Sequence, residues 1–443
     1  MMHHVLVGSG IASLSAAESI RRADPSARIT VVSTESDPFY SRPGLAYVLT
    51  KDVAESQLAI RSDAELTALR LERMQGRARR IFPQEKSLQL EDGRQLPYDR
   101  LLIATGAASI RADFPGASLD GVVHLDDLAE ARQMTRRMAT ARAGVVVGGG
   151  STALELVDGF HAHALDTHYL MRGERYWAKV FDPVESAIVE ARLMMNGVTL
   201  HRFASVTEAV GEQGRLTGVR TSSGAFIPCD LLAVAIGIRP RLELATASGI
   251  EVGRGIITNE FLETSLPDVY AAGDVAQVYD PVLRTAELDT LWASALQQGR
   301  VAGMNMSGTR VALRKRVPLN VTKVGGVTVT IVGAVGGAPD PDLLTLTRGQ
   351  SERWVTDPNA WSVGGARLGD RLRVMISGHV IVGAVVMGDQ HLSRTLAHLI
   401  GEEVDISPLR PALDASPDQD PEKAMDLLLD FCHAHVNDHA ARH

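Results

Sequence analysis

Two glycine segments carry the densest chemical information in the sequence: Gly8-Ser9-Gly10-Ile11-Ala12-Ser13 and Gly148-Gly149-Gly150-Ser151-Thr152-Ala153. Each follows an apolar, β-branched run, His4–Val7 in one case and Gly144–Val147 in the other. Each then opens a segment of helical spacing, Ile11–Ala23 and Ser151–Ala164, so both read as strand, tight turn and helix. Gly8 with Gly10, and Gly148 with Gly150, permit such a turn and let a pyrophosphate approach the backbone. There the helix N-terminus offers unpaired N–H groups and the positive end of its dipole. The third position is Ser13 in the first turn and Ala153 in the second, both small enough for the helix to pack on its strand. The pattern predicts two dinucleotide sites.

The residues after each second strand discriminate between ligands. In the first unit the strand Arg28–Val32 ends at Ser33, and Glu35 is the nearest acid able to accept hydrogen bonds from a ribose; the alternative is a solvated loop acid. In the second unit the strand Thr167–Met171 runs into Arg172-Gly173-Glu174-Arg175. No acid occupies that strand end, and Arg172 and Arg175 can pair with a 2′-phosphate, which points to NADPH. Exposed arginines beside an NAD site are the alternative, and Glu174 leaves the preference open. Further on, Thr264–Asp274 (TSLPDVYAAGD) contains a short buried strand, the turn Gly273, and Asp274 where strand meets helix. A carboxylate there can accept from a polyol, cap the helix, or do both.

Repeated elements position these groups. Ser87–Leu90 and Gln95–Leu96 flank Glu91-Asp92-Gly93-Arg94, a predicted hairpin, and Arg100–Ala104 is a buried strand ending at Thr105-Gly106. After the second unit, Leu216–Ser222 and Ala225–Pro228 flank Ser223-Gly224, and Leu231–Ile236 is a buried strand ending at Gly237. From about Val317 the pattern changes to alternating strands (Val327–Val332, Arg371–Ser377, His379–Val386) and a helix from Ser393 to Leu399. A Pro/Asp-rich linker, Asp414–Pro421, precedes a last helix, Glu422–Val436.

Composition narrows the function classes. At about 150 residues per domain, 443 residues make roughly three. Hydrophobic residues are 45% and charged residues 22%, ordinary for a packed chain, and the net charge of −8 disfavours a polyanion partner. The two cysteines, Cys229 and Cys432, are far apart, which excludes a local dithiol, a secreted disulfide scaffold and a four-cysteine metal site within the chain. A reducing cytoplasm is expected. Met1–His4 shows no secretion signal, and the most apolar stretch, Val327–Val335, is too short for the ~18 residues of a membrane span, so a soluble protein is expected.

The segments VGSGIAS, LLIATGA, VVVGGGSTALEL and VYAAGDVA, in this order and spacing, resemble the FAD-dependent pyridine nucleotide–disulfide oxidoreductase superfamily over about the first 310 residues. The resemblance implies an α/β fold with two Rossmann-like dinucleotide-binding domains, the FAD domain split around the NAD(P) domain, plus a C-terminal α+β domain. The expected division is 1–112 and 239–316 for FAD, 113–238 for NAD(P)H and 317–443 for an interface domain that usually builds a homodimer. It further implies FAD on the first turn, its ribitol held by Asp274, with Thr105 and Gly106 among the flavin-site residues, and NAD(P)H on the second turn. Where the disulfide reductases carry a redox cysteine, this chain has Phe39-Tyr40-Ser41-Arg42-Pro43-Gly44-Leu45-Ala46-Tyr47, which rules out thiolate chemistry there.

That stretch is similar to the FxYxRP-type segment of ferredoxin and rubredoxin reductases, in which the Arg-Pro pair (here Arg42-Pro43) lies by the FAD and a Ser-Lys pair follows. Ala46-Tyr47 stands in place of the latter, so the usual lysine–glutamate pair beside the flavin is altered, with Glu155 of TALEL as its surviving partner. Tyr47 is expected either near the isoalloxazine or in the core. Asp289–Gly299 is similar to the helix that approaches the flavin pyrimidine, where Trp292 either shields the ring or packs internally. The expected activity is hydride transfer from NAD(P)H to FAD and onward delivery to a ferredoxin- or rubredoxin-type carrier. The alternatives are an oxidase or quinone-type reductase using a small oxidant, and a redox-sensing flavoprotein subunit. Arg310–Arg316 (RVALRKR) reads as a docking patch for an acidic carrier or as a solvated linker. Cys432, His435 and His439 share a helical face that permits a metal, against a polar tail that frays.

Overall fold

The computed structural model describes residues 1–281, 284–335, 361–367, 370–409, 411 and 421–440, with 361–367, 421–424 and 435–440 described in backbone alone. Two five-stranded parallel sheets form its centre. In the first, Val269–Ala271, Arg100–Ile103, His3–Val7, Arg28–Ser33 and Glu72–Gln75 lie side by side in that order. In the second the order is Thr199–His201, Asp166–Leu170, Ala143–Gly148, Leu231–Ala235 and Val122–Val123. Both central strands, rich in valine, are buried on both faces, as parallel sheets require. The α/β class read from the sequence is the observed one.

The strand at 269–271, distant in sequence, completes the first sheet beside 100–103. Two short antiparallel strands, Ala107–Ser109 and Ile238–Pro240, carry the chain from one sheet to the other and back. Arg241 fastens this crossover, donating to the carbonyls of Thr105 (3.1 Å) and Ala107. Both hairpins anticipated from the sequence form, each gaining a third strand, Ala78–Phe82 and Val206–Glu212.

The helix Trp292–Met306 packs on Ile11–Ala23 at a distance only glycine allows. A Cβ on Gly299 would stand 2.1 Å from the Ala12 carbonyl oxygen, and one on Gly303 2.4 Å from that of Ala16. Such backbone approach holds the glycine-turn helix rigidly.

The C-terminal region is an antiparallel sheet ordered Leu319–Val324, Val327–Gly333, Val380–Met387, Asp370–Ser377, Trp361–Arg367, with helices Ser393–Gly401 and Pro421–Ala440. It is bound to the second unit by a buried ion pair, Arg373 to both carboxylate oxygens of Glu185 at 2.7 and 3.0 Å. The frayed tail expected at the end is corrected. Met425, Leu428 and Cys432 lie on one face of the last helix and are buried against Leu396 and Leu399, because apolar residues at helical spacing can cover the sheet. The side chains of His435 and His439 lie outside the described residues, so the metal reading falls outside them too. Among the described residues no helix is long and apolar enough to cross a membrane.

Candidate functional site

The first glycine turn is held against the end of the neighbouring strand. Gly8 has φ +118°, and a Cβ there would meet the Ala104 carbonyl oxygen at 2.1 Å, so only glycine fits. Gly10 is the N-cap of the Ile11–Ala23 helix, makes no side-chain cap, and has nothing within 4 Å of where a Cβ would stand. The uncapped N–H groups therefore face open space of the kind a pyrophosphate fills. Ser13 is fully buried in the helix–strand contact, and its hydroxyl has no partner among the described residues.

Glu35 stands at the rim of this turn in a connected polar group. Ser33 Oγ hydrogen-bonds Ser9 Oγ at 2.9 Å and accepts from the Glu35 N–H at 3.0 Å. The Glu35 carboxylate accepts from Tyr40 Oη at 2.6 Å and pairs with the Arg42 guanidinium, which also donates to the Asp126 carbonyl at 2.9 Å. Pro43, exposed, starts the helix Gly44–Leu49. On the other side Gly273, at φ +82°, receives Gln298 Oε1 on its N–H at 2.7 Å, and Asp274 is half-buried beside it. Thr105 and Gly106 lie in the crossover, with Thr105 Oγ1 donating to the Arg241 carbonyl at 3.2 Å.

The second turn repeats the geometry. A Cβ on Gly148 would stand 2.3 Å from the Ala235 carbonyl oxygen and 3.0 Å from Ala153 Cβ, which explains the small residue at each position. Gly150 is an uncapped N-cap, and Gly149 borders open space. A cleft runs from Gly150 and Thr152 past Ala235 and Gly237 to Ser109 and Leu125, and Thr152 Oγ1, buried on its wall, has no partner among the described residues. The orphaned hydroxyl, the uncapped helix ends and the space left by the glycines fit a bound dinucleotide at each turn.

The two arginines of this site part company. Arg172 is exposed at the strand end. Arg175 turns into its own loop, donating to the Phe181 carbonyl and to Ser186 Oγ (3.2 Å), so its guanidinium is held inside the loop that Arg172 precedes.

Tyr47 and Glu155, far apart in sequence, come within electrostatic reach of one another where Gly44–Leu49 packs on Ser151–Ala162. A Cβ on Gly159 would lie 3.2 Å from Leu49 Cβ, so the helices touch closely. Burial, and then the Glu155 carboxylate, raise the Tyr47 phenol above its ordinary pKa, keeping it neutral. Glu155 Oε1 accepts from Thr322 Oγ1 of the C-terminal sheet at 3.4 Å.

Other readings are sharpened. Trp292 begins its helix half-buried against the first core. The basic run divides: Lys315 turns inward to Glu287 (3.3 Å) and Asp280 (3.7 Å), and Arg310 lies over the Phe261 ring at 3.7 Å and pairs with Glu263. Arg314 and Arg316 are exposed. Cys229 and Cys432 are buried, and burial pushes their thiols up to about 12 and about 11. Sequence reasoning missed Gln298, Arg241, Thr152 and Asp289. Asp289 is buried, accepts from Ser294 Oγ at 2.7 Å and has its carboxyl raised to about 6 by burial. Its place in an Asp-Thr-Leu-Trp segment gave a signal only for the helix start.

Residues 2–299 match the model of a family described as pyridine nucleotide–disulphide oxidoreductase. A rubredoxin–NAD(+) reductase of Pseudomonas putida is 30% identical over 308 residues, which are 69% of this chain and 80% of the relative. Rhodocoxin reductase of Rhodococcus erythropolis is 32% identical over 317 residues, 71% of this chain and 74% of the relative. A solved ferredoxin reductase from Rhodopseudomonas palustris superposes with a TM-score of 0.81 at 25% identity, covering 96% of this chain and all of its own. The chain carries two cradles of this geometry and the family's sequence pattern, and it belongs to the pyridine nucleotide–disulphide oxidoreductase family and is an FAD-dependent oxidoreductase of NAD(P)H.

Proposed function

We propose that the chain takes electrons from NADPH through FAD to a small one-electron protein of the ferredoxin or rubredoxin type. The observation that carries this reading is the segment Phe39–Tyr47, which borders the first turn without a cysteine, while both cysteines are buried elsewhere. Electrons must then leave the flavin directly. The resemblance to rubredoxin and rhodocoxin reductases supports a protein acceptor.

FAD, when bound, supplies the ability to accept a hydride and release its electrons singly. The chain's residues bind and orient. Gly8, Gly10 and Ser13 shape the pyrophosphate cradle; Glu35, with Arg42 and Pro43, holds the ribose side. Thr105, Gly106, Gly273 and Asp274 line the far side, and Trp292 borders the ring. Gly148, Gly150 and Ala153 cradle the nicotinamide nucleotide, Arg172 meets its 2′-phosphate, and Arg175 braces the loop beside it. Tyr47 and Glu155 lie where the rings would stack, a neutral phenol beside a carboxylate in place of a lysine. The domain division 1–112 with 239–316, 113–238 and 317–443, a homodimer and a cytoplasmic location belong to the same reading.

Stopped-flow reoxidation of the NADPH-reduced enzyme tests it. Acceleration by an added ferredoxin or rubredoxin over the rate in air alone is expected. Fast reaction with air and no acceleration by any carrier overturns it in favour of an oxidase.

A further inference from the structure

The helix Ser151–Ala162 presents two carboxylates one turn apart to the C-terminal sheet, and the hairpin Leu319–Val324/Val327–Gly333 meets both. Thr322 Oγ1 donates to Glu155, and the Gly325 N–H donates to Asp158 Oδ2 at 3.0 Å, with Gly326 adding a second backbone N–H. Between them Lys323 Nζ bridges to Asp52 at 3.0 Å, and the Asp52 N–H is bonded to the Tyr47 carbonyl at 2.9 Å. Three contacts from one hairpin, made by Thr322, Lys323 and Gly325, thus reach Glu155, the turn that follows Tyr47, and Asp158. The turn itself is built for the contact: Gly325 and Gly326 have φ of +56° and +76°, which aims successive N–H groups at one acceptor.

We propose that Asp158 is a positioning residue of the hydride-transfer site, gripping the Gly325-Gly326 turn so that Thr322 is held against Glu155. The inference rests on the role given to Glu155 above. It makes the C-terminal sheet part of the site rather than an attached module. Asp158 acts through two backbone amides and a hydroxyl and touches no reactant. Burial raises its carboxyl to about 6, so at neutral pH the ionised group is held by the two N–H groups and Lys323, against Asp52 and beside the buried Tyr176 and Glu155.

Amide exchange and a double-mutant cycle test the proposal on the holoenzyme. In Asp158→Ala, exchange of the peptide spanning 320–330 should accelerate about tenfold or more, and Asp158→Asn, which keeps one acceptor oxygen, should fall between. With a neutral quinone as acceptor, Asp158→Ala and Thr322→Val should each lower kcat, the former by about tenfold, with KM for NADPH within about twofold. The double variant should be no worse than the worse single variant, because Asp158 acts through Thr322. Additive losses, an unchanged kcat, or unchanged exchange in Asp158→Ala each overturn the proposal. Glu155→Gln separates the two levels. If it leaves kcat unchanged, the role given to Glu155 is what fails, whereas a loss there with an intact Asp158→Ala rejects only the positioning role. Asp158→Asn keeps the test open should the alanine variant not fold.

Discussion

At the first glycine turn Ser9, Ser33, Glu35, Tyr40 and Arg42 form one hydrogen-bonded group; at the second turn Arg172 stands exposed and the Thr152 hydroxyl is unpartnered among the described residues. The backbone cradles are nearly the same, since Gly8 and Gly148 each press on a strand-end carbonyl within 2.3 Å of an imagined Cβ. The furnishing differs. A preorganised polar rim spends little ordering free energy on binding and suits a ligand that stays. A rim with an exposed cation suits a ligand that arrives and leaves at each turnover. On the proposed reading, one geometry, repeated, serves a resident cofactor and an exchanging one.

The largest effects are expected at the cradles. Gly8→Ala should cost about 4 kcal/mol or more and yield protein without flavin, read from the ratio of flavin to protein absorbance. Gly148→Ala should leave the flavin in place and abolish nucleotide binding. Loss of flavin in both variants would show that the two cradles are not independent.

Next in size is the rim of the second turn. Arg172→Glu should lower kcat/KM for NADPH by about 10- to 100-fold, about 1.4–2.7 kcal/mol, with NADH unaffected. Arg175→Ala should instead lower thermal stability with little change in the NADPH/NADH ratio. An unchanged ratio in Arg172→Glu, or equal kcat/KM for the two nucleotides in the parent enzyme, removes the 2′-phosphate assignment.

The smallest effect is a pH dependence confined to the first region. Burial raises the Asp289 carboxyl to about 6, above its unfolded value. The folded state therefore binds that proton more tightly, and the stability it contributes is complete below about pH 4 and lost as pH rises through 6. Between pH 5 and 7 the parent should lose about 1 kcal/mol relative to Asp289→Asn, measured by urea denaturation. Parallel pH profiles for parent and variant would place the proton elsewhere.

Much of the architecture was legible because it is local. Strand, glycine turn and helix are adjacent in sequence, so Gly8, Gly10, Gly148 and Gly150 announced both cradles, and hairpin turns announced their strands. Glu35 was legible as the nearest acid after its strand, but its partnership with Arg42 and Tyr40 was not. Arg175 and Arg172 look equivalent three residues apart; only the path of the loop to Phe181 and Ser186 separates them. The tail read as polar from its histidines is a helix with a buried seam at Met425, Leu428 and Cys432, since the sheet that buries it lies elsewhere in the chain.

The two nucleotide cradles, the α/β class and the absence of a thiol beside the first turn follow from the amino-acid order, because each depends on residue type and short spacing. Packing between distant segments brings the Glu155 charge within reach of Tyr47, presses Gly299 and Gly303 on the first helix, and closes a hairpin on Asp158 with the Gly325 amide, 167 positions along the chain. Those contacts join segments with no local signal of one another. They exist only once burial of apolar surface has packed separate sheets together and left each buried carboxylate in need of a donor.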